Sequence, residues 1–117
     1  MIEEILLDYL TGSVEVPVCL EIPEDMPERF VVLEKTGSGC ENHIFSATFA
    51  VQSYGPSLYE AAALNEAVKG ALLYGNTPQE ITRVELNSDY NYTDPDLKRY
   101  RYQAVYDITH YYQGGTQ

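Results

Sequence analysis

The chain contains no tryptophan, only two cysteines, and only seven basic residues against eighteen acidic ones. Each scarcity excludes something. Two cysteines cannot build a disulfide framework, so the fold must rest on an apolar core. A formal net charge of −11 removes the basic footprint that nucleic-acid binding requires. The same charge disfavours anionic membrane surfaces. No apolar run approaches the roughly 18 residues of a membrane span. The opening Met1-Ile2-Glu3-Glu4 lacks the positive n-region of a signal peptide. These absences predict a protein kept in a reducing cytoplasm, with no membrane partner and no sequence-specific nucleic-acid binding.

What is present is an ordinary globular mix. The 117 residues fit one domain, residues 1–112, followed by a Gly-rich C-terminal tail at 113–117 expected to be flexible. Hydrophobic residues make up 44%, enough for a core without a structural metal. Eleven tyrosines against three phenylalanines is a skew toward rings with a wet edge. Such rings suit half-buried strands and interfaces. Charge is uneven: residues 1–35 hold nine acids and two bases. Glu21, Glu24, Asp25 and Glu28 crowd around Pro23 and Pro27, while Lys98, Arg99 and Arg101 form the one positive cluster. The bland reading of both groups is a solvated surface.

Periodicity predicts an α+β fold: a single mixed, mostly antiparallel sheet of about five strands with two helices on one face, in the order α-β-β-β-α-β-β. Ile2, Ile5, Leu6, Tyr9 and Leu10 form one stripe of a helix over 2–10, which Gly12 is expected to end in a left-handed cap. Val14 to Ile22 alternates as a strand. Pro17 makes it an edge strand or a bulged one, and Cys19 within it reads as a small core hydrophobe. Phe30 to Lys35 is a short apolar strand, and Thr36 to Asn42 a flexible turn. His43 to Tyr54 is the clearest strand, with Phe45, Ala47, Phe49 and Val51 on one side. Gly55-Pro56 breaks it. Ser57-Leu58-Tyr59-Glu60 then matches a capping box for a helix ending near Tyr74. Its apolar face is Leu58, Ala61, Ala62, Leu64, Val68, Ala71 and Leu72. Ile81 to Tyr92 and Arg99 to Tyr111 complete the sheet. The latter places Tyr100, Tyr102, Ala104, Tyr106 and Ile108 on one face. Short connections favour antiparallel pairs and both helices on one side.

Motifs with chemistry are weak. Cys40-Glu41-Asn42-His43 has C-x-x-H spacing, but a pair cannot make a tetrahedral zinc site and only His110 could assist. Gly37-Ser38-Gly39 lacks the lysine and following helix of a phosphate loop. Asn91-Tyr92-Thr93 matches the glycosylation sequon, and Asp94 and Asp96 flank an ordinary Pro turn. No G-x-S-x-G elbow exists. The expectation is a non-enzymatic protein with no catalytic residue, metal or cofactor.

One ordered set of segments carries a likeness. An amphipathic helix leads to Val16-Pro17-Val18, then Glu21-Ile22-Pro23-Glu24, then Pro27-Glu28-Arg29-Phe30-Val31-Val32-Leu33-Glu34-Lys35-Thr36-Gly37. After a polar stretch come Ala47-Thr48-Phe49-Ala50-Val51-Gln52-Ser53-Tyr54-Gly55 and an Ala-rich helix. Over residues 2–111 this resembles the tail terminator, or tail completion, proteins of long-tailed phages and prophages, and the related tail-to-head joining proteins. The resemblance implies a ring, typically hexameric in the virion and possible as a monomer in solution. The ring would cap the finished tail tube, stop its polymerisation and offer a surface for head-tail joining. Its implied partners are other copies of itself, the tail-tube protein and the head-tail connector protein. Its implied location is the host bacterial cytoplasm during assembly and then the head-proximal end of the tail. A head-closure or neck protein is the nearest alternative. A small enzyme or ligand-binding domain and an acidic mimic of DNA are the unrelated ones.

Charge asymmetry suggests a subunit contact between Lys98, Arg99 and Arg101 and the neighbour's Glu24, Asp25 and Glu28. The stretches Thr36–Asn42 and Asn87–Lys98, with Gly37, Ser38, Gly39, Asn42, Asp89, Asn91 and Asp94, are expected to reach toward tube or connector.

Overall fold

A computed structural model describes residues 1–96 and 99–111. The elements run α1 (Ile2–Ser13), β1 (Val18–Cys19), β2 (Phe30–Glu41), β3 (Ile44–Gly55), α2 (Leu58–Tyr74), β4 (Ile81–Asn91) and β5 (Tyr100–His110). This is the expected α+β order, with one mixed five-stranded sheet arranged β1-β2-β3-β5-β4. Lys98 and the tail at 113–117 lie outside the described residues.

The centre of the sheet is β3, which pairs antiparallel with β2 on one side and with β5 on the other. Its alternation sorts side chains as the sequence predicts. Ala47, Phe49 and Val51 join the main core, where they meet Val31, Leu33, Ala104, Tyr106 and Ile108 of the flanking strands. Ile2, Leu6 and Leu10 of α1, with Leu64, Val68 and Leu72 of α2, close that core from one side. Burying each such side chain is worth about 1.5–3 kcal/mol. Phe30, Val32 and Tyr54 point to the opposite face and form a second cluster beneath Met26. Phe30 and Tyr54 stack there with ring centroids 4.4 Å apart.

Several boundaries differ from expectation, each for a local reason. α1 runs through Gly12 to Ser13 and exits at an extended Val14 whose N–H donates to Leu10 O at 3.0 Å. Gly12 therefore sits inside the helix. The first strand shrinks to Val18–Cys19 because Val31 N donates to Pro17 O at 2.9 Å in a parallel pairing that continues for only two residues. Antiparallel pairing was expected here; the long excursion through 20–29 lets the chain return to start β2 in the same direction. As Pro17 requires, this strand is at the sheet edge. Cys19 is half-buried and Leu20 exposed, so the core face of this stretch ends at Val18. β2 extends to Glu41, and the flexible turn expected at 36–42 narrows to Asn42 and His43, with φ of 52° and 64°. Asparagine tolerates that left-handed region better than most residues.

The strand-to-helix junction behaves as read. Ser57 Oγ accepts from Glu60 N at 3.1 Å and donates to Glu60 Oε2 at 3.1 Å. Leu58 is 41% exposed, so the buried face of α2 begins at Ala61. Asn65 joins that face, a polar residue that the apolar pattern omitted. Gly55 packs backbone to backbone on the first turn of α2: a Cβ there would lie 2.8 Å from Ala61 N.

Replacing the three glycines separates these roles. A Cβ on Gly12 or Gly70 meets nothing within 4 Å. Gly12→Ala and Gly70→Ala should each raise unfolding free energy by about 0.5–1 kcal/mol. Gly55→Ala should lower it by about 1–3 kcal/mol through overpacking. Urea denaturation of the three variants checks both signs.

Candidate partner-binding surfaces

The long strands give the molecule two poles about one principal extent of 43 Å. At one pole lies the β2–β3 tip, Asn42 and His43, beside the end of β5 where Phe45 pairs with His110. At the other lie Gly55, the turn at 91–96, Arg99 and the 23–28 loop, joined through the Tyr54–Arg101 and Asn91–Tyr102 pairings and an Arg99–Met26 contact. The 36–42 stretch and the 91–96 part of the 87–98 stretch therefore lie toward opposite ends of one sheet.

At the tip pole, Gly37, Ser38 and Gly39 are strand residues rather than a loop, paired with Thr48, Ala47 and Ser46. A register shift between Lys35 and Gly37 decides which way each residue points. Lys35 faces the helices and pairs with Glu3 of α1 at 3.1 Å. Burial pushes the Glu3 carboxyl up, but its backbone hydrogen bond and Lys35 outweigh that and hold it below its ordinary 4.5.

At the opposite pole, Glu24, Asp25 and Glu28 are exposed around a half-buried Met26. The bases meet this region within the same chain. Arg99 Nη2 donates to Met26 O at 3.3 Å. Arg101 Nη1 donates to Tyr54 Oη at 3.0 Å and its Nε to Tyr92 O at 2.7 Å. Its guanidinium lies 4.4 Å from the Tyr92 ring centroid and 5.6 Å from that of Tyr54. A guanidinium held over aromatic rings makes a favourable cation–π contact, and arginine is suited to it. Arg101 thus clamps β3, β5 and the 91–93 turn. Asn91 Oδ1 accepts from Thr93 N at 3.1 Å, and Asp94 Oδ1 from Asp96 N at 2.9 Å, so both hold the turn itself.

Asp89 belongs to neither tip. A second register shift, between Leu86 and Ser88, turns it toward the helices opposite Ala104. There Asn65 Nδ2 donates to its Oδ1 at 2.7 Å, and Lys69 joins Asp89 to Glu66. Those two hydrogen-bonded carboxylates raise the Lys69 pKa despite burial. Tyr106 is fully buried nearby, and its hydroxyl has no hydrogen-bond partner among the described residues. Burial, then the Asp89 and Glu66 charges, push its pKa well above the ordinary 10.0. Sequence reasoning missed this cluster because a bulge is not visible in period-two patterning.

The sheet face away from the helices is polar and cross-linked. Gln52 Nε2 donates to Glu34 Oε1 at 3.2 Å and to Gln103 Oε1 at 2.8 Å, and Gln103 Nε2 donates to Tyr90 Oη at 2.5 Å. A second row has Thr48 Oγ1 and Asn87 Nδ2 donating to Asp107 at 3.0 and 3.1 Å. Such rows rigidify the sheet, and they leave Glu34 and Asp107 on this face beside the Phe30–Val32–Tyr54 cluster. Among the described residues no group of three or more His, Cys, Asp and Glu side chains is placed to hold a metal. A scan against protein-family models matches none, and a search of curated proteins returns no match.

Two measurements test this geometry. Tyr106→Phe removes a buried hydroxyl that bonds to nothing described, so unfolding free energy should rise by about 1 kcal/mol. The folded pKa of Lys69 is raised, so its stabilisation is complete below its ordinary 10.5 and is lost as pH rises through the raised value. Wild type should therefore lose stability above pH 10.5 more steeply than Lys69→Met, as read by denaturant titration.

Proposed function

We propose that this chain is a non-enzymatic phage tail terminator that closes into a ring on the end of a completed tail tube. The observation that carries the reading is the bipolar sheet, with an exposed tip at each end of the same rigid strands. A ring built from such a unit offers one set of tips to the tube and the other to the head connector. Heterologous contacts that close leave no open end for further growth, which is how a cap stops a polymer. The acid-rich surface suits a channel through which a polyanion slides, since like charge prevents sticking. In this reading Glu24, Asp25 and Glu28 meet the neighbour's Arg99, whose one described bond is long. Arg101 takes no part, because its guanidinium is already engaged. The tip at 37–42 and the turn at 91–94 are the two axial contact points.

Mixing the purified chain with purified tail-tube protein under polymerising conditions should shorten tubes and decorate their ends in electron micrographs. Arg99→Glu should weaken end-capping, more so at low than at high salt. Unchanged tube length with binding to connector protein instead would place the chain in the neck. Binding to neither would overturn the virion role.

A further inference from the structure

The outer edge of β2 stands apart from every other surface. Among the described residues, β1 borders it only at Val31 and Val32, and no strand lies beside it from Leu33 to Glu41. The other sheet edge, β4, is defended by two register shifts and by Arg83, Glu85 and Asp89. β2 has one register shift of its own, between Lys35 and Gly37, with Glu34 and Lys35 before it; beyond that shift Gly37-Ser38-Gly39-Cys40 carries neither charge nor proline. Natural sheets blunt edges that must stay unpaired, so an undefended one is built to pair.

Two depressions flank this same segment, one on each face. The helix-side depression, about 420 Å³, is lined by Ile2, Phe45 and Ala47 beside Ser38 and Cys40. The outer one, about 580 Å³, is lined by Glu41, Asn42, Ser46 and Thr109 beside Gly39 and Cys40. Successive side chains of an added strand point to opposite faces, so they would lie alternately beside Ser38 and Cys40 at the rim of the first depression and beside Gly39 and Glu41 at the rim of the second. The first is lined mainly by apolar side chains, with the Glu3–Lys35 pair and His110 also on its wall. The second holds Glu41, which has no ion pair among the described residues. The nearest base on the strand, Lys35, is committed to Glu3.

We propose that the β2 edge from Leu33 to Glu41 is a strand-addition site for an extended segment of another protein, with apolar side chains toward Phe45 and basic ones toward Glu41. Backbone hydrogen bonds supply the affinity and the two depressions supply the register. A second copy of this chain is the poorer occupant, because its own β2 edge offers Glu41 no free base, Lys35 being held by Glu3. The inference rests on edge geometry and charge; it shares residues 37–41 with the axial contact proposed above, but the peptide test needs neither ring nor tube.

The test titrates a short capped peptide alternating lysine with valine and phenylalanine into the isotope-labelled full chain, followed by NMR. Amide shifts should concentrate in residues 33–41. Methylating alternate peptide nitrogens of the probe should weaken binding at least about tenfold, since strand pairing is then blocked. Ser38→Lys and Glu41→Lys, both at exposed positions, should weaken it comparably while leaving the thermal midpoint unchanged. The methylated probe tests pairing without any variant. Equal affinity for methylated and unmethylated peptide, or shifts centred elsewhere, would overturn the proposal. So would sedimentation showing a dimer that Ser38→Lys disperses, because the edge would then belong to a second copy.

Discussion

Everything in this fold hangs on β3 being hydrogen-bonded on both sides along nearly its whole length. A strand so placed cannot slip by one residue without exchanging Phe49 and Val51 for Ala50 and Gln52 in the core. That exchange would bury an amide and expose a phenyl ring, and the cost fixes the register of both neighbours. β2 and β5 are not paired with each other, yet Val31, Leu33, Ala104 and Tyr106 meet in one core because each strand takes its register from β3. The helices follow from the same constraint. α2 starts where Gly55 lets the strand's end approach the helix's first turn, and α1 covers what α2 leaves open.

Three register shifts, one in β2 and two in β4, modify that plan at its margins. Each inverts the side-chain parity of one outer strand partway along, so one strand serves two purposes. Near its start β2 contributes Val31 and Leu33 to the core. Beyond the shift after Lys35 it carries small residues on both faces. In β4, Val84 packs on the core, and beyond its second shift Asp89 reaches under α2 to Asn65 and Lys69. A polar cluster at that helix–sheet boundary costs desolvation but ties the outer strand to the helix. All three shifts lie where the strand's other edge is open and the ladder yields most cheaply.

Aromatic and basic residues divide along the same lines. Tyr54 and Tyr106 are buried, while Tyr59 and Tyr74 are above 80% exposed. One residue type thus supplies core, clamp and surface, with position deciding which. Arg101 shows the point most directly. In the sequence it is one of three clustered bases and invites an electrostatic partner; in the fold its charge is spent on two tyrosine rings and a carbonyl. Arg99 and the 23–28 acids, which the sequence separates by about seventy positions, share a pole through the Met26 contact.

The sequence by itself determined the elements that depend on local chemistry. Alternation in 45–51 placed the central strand, Ser57 and Glu60 placed the helix start, and Pro17 placed its strand at the edge. These follow from neighbours a few residues apart, which is the range over which period and capping act. Whether Gly37-Ser38-Gly39 was loop or strand depended on pairing with 46–48, a contact no local pattern encodes. The inward turn of Asp89, the capture of Arg101 and the open edge of β2 were decided only by tertiary structure. Bulge position, sheet order and the facing of distant side chains are set by the packing of the whole chain, where the energy of one register is compared with that of all others.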